Sequence, residues 1–600
     1  MTNARDRLVS YSPVTTPAQT QLFATPRVTL ERRPDGSVLL RSEDPLDEHE
    51  RSMAHVLRRR AEEHPDRVLA TQPDPGGGAR RSITFGEARA QADALAQSLL
   101  DLGLNAQRPV MVLSGNSLEH LVVMLGCFTA GVPVMPVSVA YSLMSKDHAR
   151  IRELAERCSP GLVFADDPER FAPAFQALAG LVPSAPPFEQ LVASRPGQAV
   201  EDALDEVGPE TIAKLLFTSG STGTPKGVIN THRMLCANQQ ILLQNWPFLA
   251  SEPPVLVDWL PWSHVFGGNH NLNQVLVHGG TLHIDEGKPA PPLFPKTLAA
   301  LRENSPTVYY NVPAGFALLT PELENDADFA AAFFSRLRFV FYAAAALPQG
   351  LWDRLRAVTP DHIPLTAAWG TTETTATVTS AHFASARCGC IGVPVPGVEL
   401  KLAFADDRFE MRVKGPNITP GYYADPEASA AAFDNEGFYR TGDAGKLVDE
   451  HDPNQGLMFD GRLAENFKLT SGSFVTVGTV RSALVTACGG VLSDAVICGH
   501  DEAFASALAW VNDGEAQRVC GGDPERLRAH LAAALARMNE GVGSASQVQR
   551  LLLLDEPASM DAGEITDKGY VNQRAVLERR ANLVKRLYAE PPDRDVILPG

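Results

Sequence analysis

The sequence predicts an α/β protein. A large N-terminal unit of layered, mostly parallel sheets carries a small β subdomain, and a small α/β unit follows at the C-terminus. Three observations carry this reading. Short buried-strand patterns alternate with helical ones along the chain before about Lys401. From about Lys401 the texture changes to short strands and turns, and from about residue 463 a further small helix-and-strand unit runs to the end. At 600 residues the chain is too long for a single core, so the expected units are 1–462 and 463–600.

Residues 1–47 are polar, with one hairpin expected at 27–30 and 38–41 through the turn residues Pro34-Asp35-Gly36. Thr84-Phe85-Gly86-Glu87 has the form of a capping box. Leu95, Leu99 and Leu102 follow at helical spacing, and Gly103 ends the helix. A buried strand is expected at 110–113. The uncharged stretch 121–140 is long enough to suggest a membrane span, but Gly131, Pro133 and Pro136 interrupt it. It reads as a buried helix, 118–129, running into a buried strand, 132–139. Further buried strands are expected at 162–165, 255–260, 308–312 and 337–342, and a helical pattern at 231–246. The Pro- and Ala-rich residues 166–206 read as a surface connection. Beyond Lys401, strands are expected at 410–413, 421–423 and 438–440. The clearest late helix has Asp523 as N-cap and Pro524 next, with Leu527, Leu531, Leu535 and Met538 on one face.

Apolar residues make up 44% and charged residues 21%, the values of an ordinary globular protein. A net charge of −18 opposes binding to nucleic acid or to an anionic membrane. Among eight cysteines, Cys388-Gly389-Cys390 is the only close pair, and no second pair stands at zinc spacing. Reduced thiols in a cytoplasmic protein are therefore expected. Arg5, Asp6 and Arg7 have no apolar segment behind them, so no secretion signal is expected.

The chain is organised around Thr218-Ser219-Gly220-Ser221-Thr222-Gly223-Thr224-Pro225-Lys226-Gly227, which follows the apolar run Leu215-Leu216-Phe217. Its glycines let N–H groups approach an anion, its hydroxyls add hydrogen bonds, and Lys226 supplies the only charge. That chemistry suits a polyphosphate. Pro225 before Lys226 and Gly227 after it break the Walker pattern. A flexible Ser/Gly linker is the competing reading, opposed by the flanking apolar strand and a Pro-Lys-Gly turn. Further stations are His264 in Leu260-Pro261-Trp262-Ser263-His264-Val265-Phe266-Gly267, the small run Tyr342-Ala343-Ala344-Ala345-Ala346-Leu347-Pro348, and Ala368-Trp369-Gly370-Thr371-Thr372-Glu373-Thr374. Tyr439-Arg440-Thr441-Gly442-Asp443, Asp460-Gly461-Arg462 and the region around Lys568 complete the series. Taken one at a time, His264 reads as a structural residue, the alanines as packing, Glu373 as a solvated loop acid, Asp443 as a turn residue and Lys568 as a surface lysine.

Taken in this order, over about residues 218–568, the stations resemble the motifs of the acyl-adenylate-forming enzymes, which include acyl-CoA synthetases, peptide-synthetase adenylation domains and luciferases. The resemblance implies that Thr218, Ser219, Gly220, Ser221, Thr222, Gly223 and Lys226 hold ATP phosphates. It places Ala344, Ala345, Trp369, Gly370 and Thr371 around the adenine, with Trp369 where Tyr is more usual. Thr372 would hydrogen-bond phosphate, Glu373 would hold Mg²⁺, Asp443 would accept from both ribose hydroxyls, and Arg462 would contact ribose and phosphate. Lys468 falls where several aryl-CoA ligases place a substrate-contacting lysine, and Ala464 where a hinge Asp or Lys is common. Lys568 is the candidate adenylation lysine, although the usual Gly-Lys pair is absent around it. The catalytic candidates are thus Lys568, Lys226, Thr372 and His264.

Two half-reactions are implied: a carboxylate attacks ATP to give acyl-AMP and pyrophosphate, then the small domain turns as a lid and a thiol attacks the adenylate. Only 32 residues follow Lys568, which argues against a fused carrier domain and makes coenzyme A the expected thiol. At finer resolution 230–239, 259–271 and Glu564-Ile565-Thr566-Asp567-Lys568-Gly569-Tyr570-Val571-Asn572-Gln573 resemble bacterial feruloyl-CoA synthases. This implies a hydroxycinnamate such as ferulate, caffeate or 4-coumarate, bound among His264, Phe266, His270, Tyr310, Ala343 and Ala368. The alternatives are a coenzyme A ligase for another aryl or medium-chain acid, a stand-alone adenylation protein loading a carrier, and a nucleotide-binding protein without catalysis. The resemblance is also compatible with a homodimer.

Overall fold

The structure, a computed structural model, describes residues 22–219, 225–290, 292–382, 388–405, 408–565 and 571–600. Two smaller sheets are built from residues 68–284. In the first, Leu162–Phe164, Val110–Val112, Val134–Pro136 and Ile212–Ser219 lie parallel, and Pro225–Thr231 closes the edge antiparallel. In the second, Val255–Asp258, Thr281–Ile284 and Val68–Gln72 are parallel and Arg81–Thr84 is antiparallel. Leu162–Phe164, Val110–Val112 and Val134–Pro136 are fully buried apolar runs, the pattern of a sheet covered on both faces. Helix Leu118–Ala130 is buried almost all round, packs on Phe85–Asp101 and ends at Gly131 in the left-handed region. Thr84 and Glu87 form the expected capping box.

The third sheet has eleven strands. Val308–Asn311, Phe339–Tyr342 and Leu365–Trp369 run parallel. The sheet then continues antiparallel through Thr379–Ser380, Cys390–Pro394, Leu457–Arg462, Tyr439–Leu447, Arg408–Lys414 and Glu399–Ala405 to the hairpin Val38–Ser42 and Val28–Arg32. The β subdomain is therefore an extension of the parallel sheet, and the N-terminal hairpin is its edge. Residues Phe467 to Ile597 form their own apolar cores around Leu492–Cys498, Ser506–Val511 and Leu551–Leu553. Helix Pro524–Asn539 covers that sheet, with Asp523 accepting from the N–H groups of Glu525 and Arg526.

Four expectations change. Residues 166–206 are not a plain surface connection. They form helices Ala172–Leu178, Phe188–Leu191 and Gln198–Glu206, which bury Ala174, Leu178, Leu191, Val200 and Leu204. The strand expected at 132–139 shrinks to Val134–Pro136, because Pro136 offers no N–H to continue the ladder and Val139–Leu143 turns helical. Pro225-Lys226-Gly227 is a strand and not a turn, paired with Ser219, Thr218 and Phe217. Residues 421–423 make only isolated bridges, from Tyr422 to Val228 and to Asp425. All eight cysteines are free, seven of them buried. Among the described residues no helix is long and apolar enough to cross a membrane, and no three His, Cys, Asp or Glu side chains cluster to hold a metal.

Candidate active site

Lys226 enters the site from a β-hairpin. Strands Ile212–Ser219 and Pro225–Thr231 pair as far as Ser219 and Pro225, which sets Thr218 opposite Lys226. Gly220, Ser221, Thr222 and Gly223 lie outside the described residues. The Lys226 ammonium sits 4.9 Å over the Tyr422 ring. The Tyr422 hydroxyl donates to Glu373 Oε1 at 3.2 Å and lies 3.3 Å from the Tyr439 hydroxyl. Backbone bonds zip the Tyr422 segment to the hairpin: Tyr423 N donates to the Gly227 carbonyl at 2.7 Å, and Ile229 N to the Gly421 carbonyl at 3.2 Å. Arg157 ties both pieces together, donating to the Pro225 carbonyl at 3.0 Å and to Asp425 at 2.6 Å. The phosphate lysine and the metal carboxylate expected from the sequence are thus joined through Tyr422, which carries no motif signature of its own.

Glu373 lies in a short 3₁₀ turn, Thr372–Thr374, at the end of Leu365–Trp369. Thr372, Glu373 and Thr374 are buried. Thr419 N donates to the Glu373 carbonyl at 2.8 Å, and Asn417 Nδ2 donates to the carbonyls of Thr374 and Thr377. Thr375 and Ala376 hold φ of 58° and 96°, a cost that a fold accepts where geometry is demanding. Gly370 faces this turn so closely that a Cβ would collide with the Ala376 carbonyl. Gly370→Ala therefore opens the turn. Pyrophosphate–ATP exchange should fall at least ~10-fold with about 1–3 kcal/mol of lost stability, read by exchange and by denaturant unfolding. Glu373 is a hard oxygen donor standing alone, which fits Mg²⁺ held by one carboxylate together with nucleotide phosphates.

Asp443 and Arg462, the residues expected at the ribose, pair across two strands. Asp443 Oδ1 lies 3.6 Å from Arg462 Nε, and its Oδ2 accepts from Trp369 Nε1 at 3.0 Å. Burial pushes the Asp443 carboxyl up to about 6, against the opposing pull of Arg462 and the Trp369 N–H. Trp369 therefore has a second task beside the expected stacking: its indole edge orients Asp443. Ala344, Ala345 and Ala346 are exposed beyond strand Phe339–Tyr342, and Ala344 adopts a φ of 75°, leaving backbone open to a flat ligand.

The residues expected around the acid sit on a rare π turn, Phe266–Asn271, just after His264. His264 is buried. The turn presents Phe266 and His270 to Tyr310, at ring distances of 6.2 and 5.0 Å, and to Phe341, at 5.8 and 5.3 Å. Trp246 closes the end, 5.8 Å from His270. The Tyr310 hydroxyl donates to Gln274 Oε1 at 2.8 Å. His270 Nδ1 bonds Asn271 Oδ1 at 2.8 Å, while its buried Nε2 has no hydrogen-bond partner. Burial lowers the His270 pKa to about 4, so its ring is neutral. Ala343 and Ala368 pack, half-buried, against the same core. Phe341, inside strand Phe339–Tyr342, and Trp246, at the end of helix His232–Asn245, complete the wall; locally the sequence marks both only as apolar residues.

Lys468 lies on the small two-stranded sheet Phe467–Lys468 and Phe474–Val475. Lys568 lies outside the described residues, between Ile565 and Val571, which bridge to each other. Ala464 lies in a 3₁₀ turn, Leu463–Glu465.

The AMP-binding enzyme family matches residues 57–423, more than half of the sequence, and the chain belongs to it. With that membership come acid–coenzyme A ligation through an acyl adenylate, and ATP, Mg²⁺ and coenzyme A as reactants and cofactor. The chain is similar to the sulfoacetate–CoA ligase of Cupriavidus necator, at 28% identity over 530 residues, covering 84% of this chain and 97% of that one. It is similar to 4-coumarate–CoA ligase 3 of Arabidopsis thaliana at 27% identity over 409 residues, 63% of this chain and 68% of that one. The solved anthranilate CoA ligase AuaEII, in complex with anthranoyl-AMP, has the same fold: TM-score 0.71 at 19% identity, covering 90% of this chain and 98% of that one.

Proposed function

We propose that the protein joins a hydroxycinnamic acid such as ferulate to coenzyme A, with AMP and pyrophosphate as by-products. The observation that carries this is the wall of Phe266, Tyr310 and Phe341 with the buried, unpartnered Nε2 of His270 among them. Flat rings select a flat ring, and an orphaned polar atom at depth selects a polar ring substituent, because a buried group without a partner is costly. The 4-coumarate–CoA ligase relationship supports the same class.

In the first half-reaction Lys226 leaves the Tyr422 ring for the outgoing phosphates, and Asp443 fixes the ribose by accepting from its hydroxyls. Glu373 would hold Mg²⁺, which offsets phosphate charge when bound. Thr372 hydrogen-bonds phosphate, and His264 borders both acid and adenylate. Lys568 neutralises the α-phosphate and carboxylate. In the second half-reaction the unit 463–600 turns about Arg462 to Ala464, withdrawing Lys568 and admitting the thiol. The free thiols of this chain suit a reducing, cytoplasmic setting.

Pyrophosphate release with ATP, Mg²⁺ and a panel of acids, with and without coenzyme A, tests this. Ferulate should exceed unsubstituted cinnamate by ~10-fold or more in kcat/KM, with the thioester identified by mass. Octanoate above ferulate refutes the substrate class. Pyrophosphate without thioester moves the acyl group to a carrier.

A further inference from the structure

The π turn that carries Phe266 and His270 is held from behind by a buried lysine. Lys214 lies in the middle of strand Ile212–Ser219, fully buried. Its neighbours across the sheet are Val134 and Asn230. Its Nζ donates to the Gly268 carbonyl at 2.9 Å and lies 5.7 Å from the centre of the Phe128 ring. Among the described residues no carboxylate pairs with it. Burial pulls its pKa down to about 7. A lysine kept dry without a counter-charge is costly, so its single strong bond needs a purpose beyond packing.

That bond goes to the centre of the turn. A π turn widens the backbone and leaves carbonyls that an α-helix would satisfy itself. Lys214 takes the Gly268 carbonyl, and Gln239 Nε2 takes those of Asn269 and His270 at 2.9 and 3.3 Å. Gly268 cannot be replaced without cost, because a Cβ there would collide with the Trp262 carbonyl. The turn is thereby pinned on its inner side while Phe266 and His270 project from it into the aromatic wall.

We propose that Lys214 is a positioning residue for acid selection: its side-chain nitrogen fixes the Gly268 carbonyl, and with it the placement of Phe266 and His270 against the bound acid. Lys214 touches neither acid nor nucleotide. The proposal rests on reading the Phe266–Tyr310 wall as the acid site.

Lys214→Met keeps the aliphatic stem and removes the donor. KM for ferulate should rise at least ~10-fold, KM for ATP should stay within about twofold, and the preference for ferulate over cinnamate should shrink. Gln239→Leu releases the same turn from its other side and should shift the same two acid readouts. Isothermal titration of ferulate into each variant gives the binding change independently of turnover. If Lys214→Met does not yield folded protein, Lys214→Gln, with a donor on a shorter stem, is measured and should fall between wild type and Gln239→Leu. A folded variant whose ferulate affinity and ring preference match wild type overturns the proposal, as does an equal loss toward acid and ATP. Failure of the wild-type protein itself to use any aromatic acid overturns the reading of the wall beneath it, and is visible before any variant is made.

Discussion

Glutamine in place of Glu373 should lower pyrophosphate–ATP exchange by at least ~100-fold, about 2.7 kcal/mol of lost stabilisation. Gln preserves volume and an oxygen for the Tyr422 hydroxyl, so the buried hydrogen bond at 3.2 Å survives. What disappears is the negative charge, and with it the hard donor for a divalent cation. The thermal midpoint should barely move, because Gln replaces a carboxylate that is buried with no basic partner at ion-pair distance among the described residues. A second readout separates the metal from the fold: the magnesium concentration at half-maximal exchange should rise for Glu373→Gln. Full exchange with an unchanged magnesium requirement would remove Glu373 from the site.

Much of the frame was legible because the signals are local. The capping box at Thr84, the Gly131 stop and the Asp523 cap each depend on residues a few positions apart, and each appears where expected. The hairpin at Val28–Arg32 and Val38–Ser42 was readable from its Pro-Asp-Gly turn, but nothing local shows that it edges an eleven-stranded sheet. The helices within 166–206 were missed because alanines and prolines give little contrast between a buried and an exposed face. Motif residues Lys226, Glu373, Trp369 and Asp443 were found through resemblance, while their partners were not. Tyr422 meets Glu373 across 49 residues of sequence, and only topology brings them together. Lys214 is the sharpest case. Inside Ile212-Ala213-Lys214-Leu215-Leu216-Phe217 nothing local marks the lysine for burial, yet it is fully buried on a carbonyl 54 residues away.

If Asp443 accepts from the ribose hydroxyls as proposed, ATP binding depends on pH in a direction that the geometry fixes. That role needs an ionised carboxyl, and burial has raised its pKa to about 6. Protonation therefore begins just below neutrality, and kcat/KM for ATP should fall about tenfold per pH unit once the pH is below that value. The carboxylate form is kept available by Arg462 and by the Trp369 N–H at 3.0 Å. Trp369→Phe keeps an aromatic face for adenine but deletes that donor, so the acid limb should move to higher pH while the plateau rate changes less. Asp443→Asn removes the titrating group: the limb should vanish, and KM for ATP should be ~100-fold above the wild-type plateau value, as expected for losing charge-assisted bonds worth about 1.5–3 kcal/mol each. An acid limb that persists unchanged in Asp443→Asn would assign the titration to another group. A limb unmoved by Trp369→Phe would show that the indole N–H does not hold the carboxylate in solution. The paired substitutions thus separate the stacking role of Trp369, which any aromatic ring can fill, from its orienting role, which needs the N–H and which the more usual Tyr could serve only with its hydroxyl in a different place.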